Sequence, residues 1–337
     1  MIRNVLIPMV ASFLSAGVAI PLFRWLAGRF DVMDRPAPPL KTHGRAVPYL
    51  GGGVVVAGVA FGLLMYPGRM PPELSGLLGG AFILFLVGLA DDLRPISPYV
   101  KLVLEGFATA LAIAGGLRVS IVALPPAANY FLTVVWMLAM TNAFNIIDVH
   151  DGLCSGTASL ISAGLLLVSV FTTLFDKTFV TVSAAALAGA SAAFFLVNRP
   201  PARMFLGDAG SLPMGFLLSG LAIGESYTPD HLVGLLVPFL LFLVPLYDLL
   251  FVVVLRLARG QSPIRGSPDH IAIRLRALGW SDGRVLSSLL GLSAAAAVLA
   301  PGAVFLPFPY AAFLAGVTLL SCVGIGMALA AIRPTGA

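Results

Sequence analysis

An α-helix needs about twenty consecutive apolar residues to cross the hydrocarbon core of a bilayer, and this chain is built almost entirely of such runs. They fall at 5–26, 49–65, 74–90, 100–117, 130–145, 157–174, 179–197, 212–224, 232–255, 285–304 and 307–332. In hydrocarbon every backbone N–H and C=O must find a partner inside the protein, so the runs predict helices rather than open strands. The expected fold is all-α: a polytopic membrane-embedded bundle of about 11 transmembrane helices, with 10 as the alternative count. The 212–224 run is short and reads as tilted or partly re-entrant. Between the runs there is no soluble domain, linker or low-complexity tract, so residues 1–337 form a single membrane-embedded domain.

Composition agrees with this reading. Hydrophobic residues make up 59% of the 337 positions, and only 10% are charged. The mean hydropathy is +0.99, far from that of a soluble domain. A formal charge of +5 is too small to point to nucleic acid as a partner, and basic residues in such a chain report topology and anionic ligands. Cys154 and Cys322 are too few for a disulfide framework or a zinc site, and read as small buried apolar residues. The first apolar run lacks a small-residue cleavage site and reads as a span.

Eleven spans put the termini on opposite sides. One set of loops then carries 16 of the 20 Lys and Arg residues and the other carries 4, with Arg3, Arg69, Arg118 and Lys177 in the poorer set. Positive loops stay inside, which predicts an N-terminus outside and the basic loops 27–48, 91–99, 146–156, 198–211 and 256–284 in the cytoplasm. These loops also hold the polar clusters, so one cytoplasmic face is expected to be active. The expected location is the inner (cytoplasmic) membrane of the cell.

The densest cluster is Asn142 to Gly156, N-A-F-N-I-I-D-V-H-D-G-L-C-S-G. Asn142, Asn145 and Asp148 repeat every third residue and share one face of a continuing helix. Asp151-Gly152 breaks it. Such groups are expensive in hydrocarbon and should face water or a polar cavity. The adjacent carboxylates Asp91-Asp92 at the end of the third run repel one another unless a cation or proton lies between them. Hard oxygen ligands of this kind suit Mg2+ together with substrate phosphates. Two solvated acids at a helix end are the alternative. Phe205-Leu-Gly-Asp208-Ala-Gly-Ser211 is a Gly-flanked loop opening a helix, a place for phosphate, with Asp208 a candidate metal ligand; a plain N-capped turn is the alternative. In Pro263 to Gly279, Arg265, His270, Arg274 and Arg276 offer bidentate contact to pyrophosphate, or simply satisfy the charge rule. Asp248 and Glu105, inside spans, are either functional or structural polar pairs.

Taken together, these residues resemble the polyprenyl-phosphate N-acetylhexosamine-1-phosphate transferases of the glycosyltransferase 4 type. That group includes bacterial phospho-N-acetylmuramoyl-pentapeptide transferase and undecaprenyl-phosphate N-acetylglucosamine-1-phosphate transferase, and the chain looks closer to the latter. D-x-P…H…P-x-x-G-G is matched by Asp34, Pro36, His43, Pro48, Gly51 and Gly52. The aspartate pair is Asp91-Asp92, with Lys101 following. N-x-x-N-x-x-D-G-x-D-G-L is met by Asn142, Asn145, Asp148, Asp151, Gly152 and Leu153; F-x-G-D-x-G-S by Phe205 to Ser211, with Asn198 upstream; and P-x-x-D by Pro245 to Asp248. Val149 departs from the family's glycine, no third acid follows the pair, and His270 stands alone in a loop that usually holds two or three histidines. The last departure bears on the sugar more than on the reaction.

The resemblance implies a Mg2+-dependent transfer (Mn2+ as the alternative ion) of hexosamine 1-phosphate from a UDP-N-acetylhexosamine to a polyprenyl phosphate drawn from the membrane lipid, with release of UMP. This is the priming step of a cell-envelope glycan such as lipopolysaccharide. By the same resemblance Asp208, Asp92 and Asp91 are catalytic and hold the metal, and Asp91 orients or deprotonates the lipid phosphate. A covalent phospho-aspartate is the other route. Asn145, Asp148 and Asn198 line the phosphate site, Asp151 and Phe205 hold the uridine, Lys101 steadies a phosphate, and Arg265 and His270 contact sugar and diphosphate. Family members are commonly homodimers. The competing readings are a transporter or flippase, which needs charges near the bilayer midplane in repeated halves, and a non-catalytic family member.

Overall fold

The computed structural model describes residues 2–35, 46–66, 69–171, 178–224, 234, 236–263 and 269–332. It is a polytopic helical bundle, as the apolar runs predict. The elements are α1 (Ile2–Arg29), β1 (Met33–Asp34), β2 (Val47–Pro48), α2 (Gly51–Leu63), α3 (Pro72–Leu93), α4 (Pro98–Ala114), α5 (Pro126–Ile147), α6 (Leu153–Phe171), α7 (Thr178–Asn198), α8 (Asp208–Gly224), α9 (Leu236–Leu241), α10 (Leu243–Ala258), α11 (Ile271–Ala277), α12 (Asp282–Ala303) and α13 (Phe308–Ala330).

Among the described residues each of the eleven apolar runs contains helix, but they are not equivalent. Among the described residues, seven helices are long and apolar enough to cross a membrane: α1, α3, α5, α6, α7, α12 and α13. The helices α2, α4 and α8 are shorter, at 13, 17 and 17 residues. The run at 232–255 is not one helix. Pro245 has no N–H to give the carbonyl of Leu241, and its ring crowds that carbonyl; the chain breaks there into α9 and α10 across Phe242. The expectation of an all-α fold meets one small exception, the antiparallel pairing of β1 with β2, with Met33 opposite Pro48 and Asp34 opposite Val47.

The bundle is organised around α8. Nearly all of its residues are buried, and it packs on α3, α5 and α2. The Ala-rich α7 lies between α1, α6 and α2. Lipid-phase helices gain little from the hydrophobic effect and pack through close backbone approach. A Cβ on Gly189 would lie 2.0 Å from the Met9 carbonyl oxygen, and one on Gly62 would lie 1.8 Å from Ser12 Oγ. The outer helices have the opposite character. Phe313, Leu319, Leu320 and Met327 on α13, and Val18 and Trp25 on α1, are exposed, which is what a lipid-facing surface requires.

Candidate active site

Four helix ends meet at one end of the bundle: the last turn of α3, the first turn of α4, the end of α5 and the start of α8. Close contact between them depends on glycine. Gly51 and Gly52 donate their N–H groups to the carbonyls of Phe205 (3.0 Å) and Leu206 (2.8 Å), and Phe205 N–H returns a bond to Pro48 at 2.9 Å. A Cβ on Gly52 would lie 2.3 Å from the Ala209 carbonyl carbon, and one on Gly88 of α3 would lie 2.3 Å from that of Asp208. The loop before α8 turns through Gly207, whose φ of +74° suits a residue without Cβ.

Asp92 fixes this start of α8. Its Oδ1 accepts the Asp208 N–H at 2.8 Å and its Oδ2 accepts the Ala209 N–H at 3.0 Å. A helix N-terminus has unpaired N–H groups and a partial positive charge, so a carboxylate from a neighbouring helix satisfies both at once. Asp91 points elsewhere. Its Oδ1 accepts the Ile96 N–H at 2.6 Å, and its Oδ2 lies 3.2 Å from Lys101 Nζ. The same ammonium lies 2.9 Å from Asp208 Oδ2, while Asp208 Oδ1 accepts from Asn145 Nδ2 at 2.7 Å. Asn145 also reaches Ser211 Oγ at 3.2 Å.

Asp148 follows the end of α5 and receives the Gly207 N–H. Burial, then the charges of Asp208, Asp92 and Asp151, push its carboxyl well above the usual carboxylate range. The structure therefore brings Asp91, Asp92, Lys101, Asn145, Asp148 and Asp208 into one cluster.

Two of the expected substrate contacts are occupied by the protein itself. Asn198 is buried; its Oδ1 accepts from Gly152 N–H (3.1 Å) and Ser155 Oγ (2.9 Å), and its Nδ2 donates to the Met204 carbonyl at 3.0 Å. It braces α6 against the segment leading to Phe205. Asp151 accepts the Ala202 N–H at 2.9 Å and ties the same two segments. Phe205 is half-buried, edge-on to Tyr49 with ring centroids 6.0 Å apart.

His270 does not join the cluster. It is buried, with Nδ1 3.0 Å from Asp248 Oδ2, and Asp248 Oδ1 accepts the Ile271 N–H at 2.7 Å. Asp248 thus caps α11 and holds His270 as a structural pair. Arg274 is fully buried, bonded to the Asp269 carboxylate and to the carbonyls of Leu329 and Ile332. It anchors α11 to the end of α13. Arg265, and the motif residues Pro36 and His43, lie outside the described residues. Glu105 is a buried partner of the Asn142 side-chain amide, linking α4 to α5. Gly88 and Tyr49 escape sequence reasoning: nothing in a lone Gly inside an apolar run marks the backbone it will touch.

The donor chemistry fits a hard divalent cation. Asp91 and Asp208 already face one another across a positive charge, and their ligating atoms are all oxygen. Among the described residues no group of three or more His, Cys, Asp or Glu could hold a metal unaided. Two carboxylates would suit Mg2+, which takes one or two from the protein and completes its shell with water and substrate phosphates.

Sequence comparison places the chain among known proteins. The profile of Glycosyl transferase family 4 matches residues 74–225, the stretch from α3 through α8 that carries the carboxylate cluster. The chain is 27% identical over 289 residues to a probable undecaprenyl-phosphate N-acetylglucosaminyl 1-phosphate transferase of Bacillus subtilis, covering 83% of this chain and 79% of the relative. It is 32% identical over 280 residues to the undecaprenyl-phosphate alpha-N-acetylglucosaminyl 1-phosphate transferase of Thermotoga maritima, covering 79% and 83%. It is also 32% identical over 312 residues to a phospho-N-acetylmuramoyl-pentapeptide-transferase of Synechococcus sp. RCC307, covering 84% and 83%. With relatives matched along most of both chains and the shared motifs converging at the ends of α3, α4, α5 and α8, the chain belongs to glycosyl transferase family 4.

Proposed function

We infer that the protein transfers an N-acetylhexosamine 1-phosphate from a UDP-sugar to a polyprenyl phosphate, releasing UMP and leaving a polyprenyl diphosphate-sugar in the membrane. The observation that carries this reading is the Asp91–Lys101–Asp208 cluster at the ends of membrane helices. A lipid phosphate can arrive there from the bilayer and a nucleotide from the aqueous phase. The names of the relatives supply the lipid phosphate and the N-acetylglucosaminyl 1-phosphate.

Both reactants are anions, and their approach requires cations between them. Mg2+, when bound, supplies Lewis-acid stabilisation of the transferring phosphoryl group. Asp208 and Asp91 are the residues that would hold it, through the oxygens they turn toward Lys101. Asp92, with both oxygens on the amides that open α8, acts by fixing Asp208 in place. Asn145 holds the other Asp208 oxygen and so sets the carboxylate plane. Asp91 orients the lipid phosphate and accepts its proton where one is present. An oxygen of that phosphate attacks the β-phosphorus of the UDP-sugar, the bond from this phosphorus to the bridging oxygen breaks, and UMP leaves with the electron pair. Phe205 lines the nucleoside side of the site, and Asp151 shapes it by holding the Ala202 N–H just upstream of Phe205. The site faces the cytoplasm, and the membrane is the inner one, by the distribution of Lys and Arg among the loops.

The test is a UMP-release assay with purified protein, Mg2+, undecaprenyl phosphate and a panel of UDP-sugars. Release with one UDP-N-acetylhexosamine, dependent on both the lipid phosphate and the metal, is expected. UDP-sugar binding without UMP release would instead identify a non-catalytic family member. Trapping of phosphorylated Asp91 would replace direct attack with a covalent route.

A further inference from the structure

The oxygens of Asp91 and Asp208 are divided between two tasks. One oxygen of each is held by its own surroundings: Asp91 Oδ1 by the Ile96 N–H and Asp208 Oδ1 by the Asn145 amide. The other oxygen of each, Oδ2, turns inward, and both lie on Lys101 Nζ, at 3.2 Å and 2.9 Å. The side chains of Lys101, Asp91 and Asp208 keep only 19, 18 and 17% of their surface exposed, so water screens this triad weakly. Two ionised carboxylates from different helices, both drawn to one ammonium, repel each other unless a cation or a proton offsets their charge, and here Lys101 is the cation in contact with both.

From this division we propose that Lys101 is the resident counter-cation of the Asp91–Asp208 pair and competes with the divalent ion for the same two oxygens. The inference rests on the metal reading given above. A carboxylate oxygen has a second lone pair, but an ammonium and a doubly charged ion sharing the same oxygens would repel strongly in a half-buried site. One must yield. Lysine is suited to yield, because its charge sits on a flexible four-carbon stem; the ammonium can leave while α4 stays in place. In the metal-free protein Lys101 keeps the carboxylates from pushing the end of α3 and the start of α8 apart. In the metal-loaded protein it becomes a free cation beside the ion, available to the second anionic substrate. The lysine thus acts in turn as a placeholder and as a phosphate ligand.

The test measures Mn2+ affinity by electron paramagnetic resonance on the purified full-length protein in detergent, without substrates. Lys101→Met removes the competing charge and is expected to tighten Mn2+ binding on the order of tenfold, the equivalent of one charge-assisted hydrogen bond. Lys101→Arg keeps a cation and should stay near wild type. Arg94→Gln removes an equal charge from an exposed site just past Asp92 and should change affinity by no more than about twofold, because exposed charges are screened. Asp208→Asn should abolish binding. If Lys101→Met binds Mn2+ no more tightly than wild type, or if Arg94→Gln or Lys101→Arg tightens binding as much, Lys101 does not compete and the proposal is overturned, while the metal reading stands. If Asp208→Asn binds like wild type, the metal reading fails and the proposal with it. Should Lys101→Met not fold, Lys101→Gln, neutral but still a donor, serves in its place with the same expectation.

Discussion

Asp92 of α3 accepts the backbone N–H groups of both Asp208 and Ala209, so one carboxylate serves as the cap of a helix 116 residues further along the chain. The neighbouring Asp91 takes no part in this and faces Lys101 instead. Adjacent residues of one dipeptide therefore hold different posts.

The division predicts different losses. Asp92→Ala removes the cap and should lower stability by about 0.5–2 kcal/mol, the range for a lost N-cap, with reduced turnover and Mn2+ binding retained. Asp91→Ala gives up the Ile96 N–H but also relieves the repulsion with Asp208, so it should lower the melting temperature less than Asp92→Ala and weaken Mn2+. Thermal unfolding in detergent and metal titration of the two variants check this; the opposite pattern would return Asp92 to the metal.

Asn198→Ala leaves the Gly152 N–H, the Ser155 hydroxyl and the Met204 carbonyl without their partner in a buried place. Each such group costs about 1–3 kcal/mol when unpaired. A large fall in melting temperature is expected, greater than any change in KM for the UDP-sugar. A normal melting curve with a raised KM would show that Asn198 contacts the nucleotide directly.

Gly88→Ala drives a methyl group to within 2.3 Å of the Asp208 backbone, where neither α3 nor α8 can give way cheaply; overpacking of this kind costs about 1–3 kcal/mol or more. Turnover should collapse because the displaced residue is Asp208 itself. Gly106→Ala on α4 meets nothing within 4 Å and should be neutral or slightly stabilising. Activity and melting temperature of the pair, measured side by side, decide it.

Asp148 is held above the ordinary carboxylate range by burial and by Asp208, Asp92 and Asp151. A raised folded-state value means that the fold favours the protonated form. The stabilisation this gives is complete below the unfolded value, about 4, and is lost as pH rises toward the folded value. In EDTA, Asp148→Asn should therefore melt above wild type at neutral pH, and the gap should close as pH falls to about 4. A gap that does not depend on pH would show that Asp148 is not strained by its neighbours.

The His270–Asp248 pair marks where sequence reasoning reaches its limit. His270 in a basic loop reads as a substrate contact, and Asp248 inside an apolar run reads as either functional or structural. The structure pairs the two across 22 residues, with Asp248 also accepting the Ile271 N–H at the start of α11. Arg274 is the same case: an arginine in a cytoplasmic-type loop that is fully buried and holds α11 to the end of α13. A sequence lists which side chains can form strong pairs, but not which partner each one finds.

The chain's own pattern determined that it forms membrane helices, because runs of apolar residues this long have no other way to satisfy their backbone. It also narrowed the candidates for the chemistry to a few acids and amides, because such groups in an otherwise apolar chain are too expensive to keep without use or a partner. Tertiary structure alone decided how the work is shared. Glycines at 51, 52 and 88 let α2 and α3 approach the start of α8 closely enough for Asp92 to reach its amides. That approach in turn leaves Asp91 and Asp208 facing each other across Lys101. Such distances come from helices packing against one another, and nothing in one dimension says which of Asp91 and Asp92 will turn to Lys101 and which to the amides of α8.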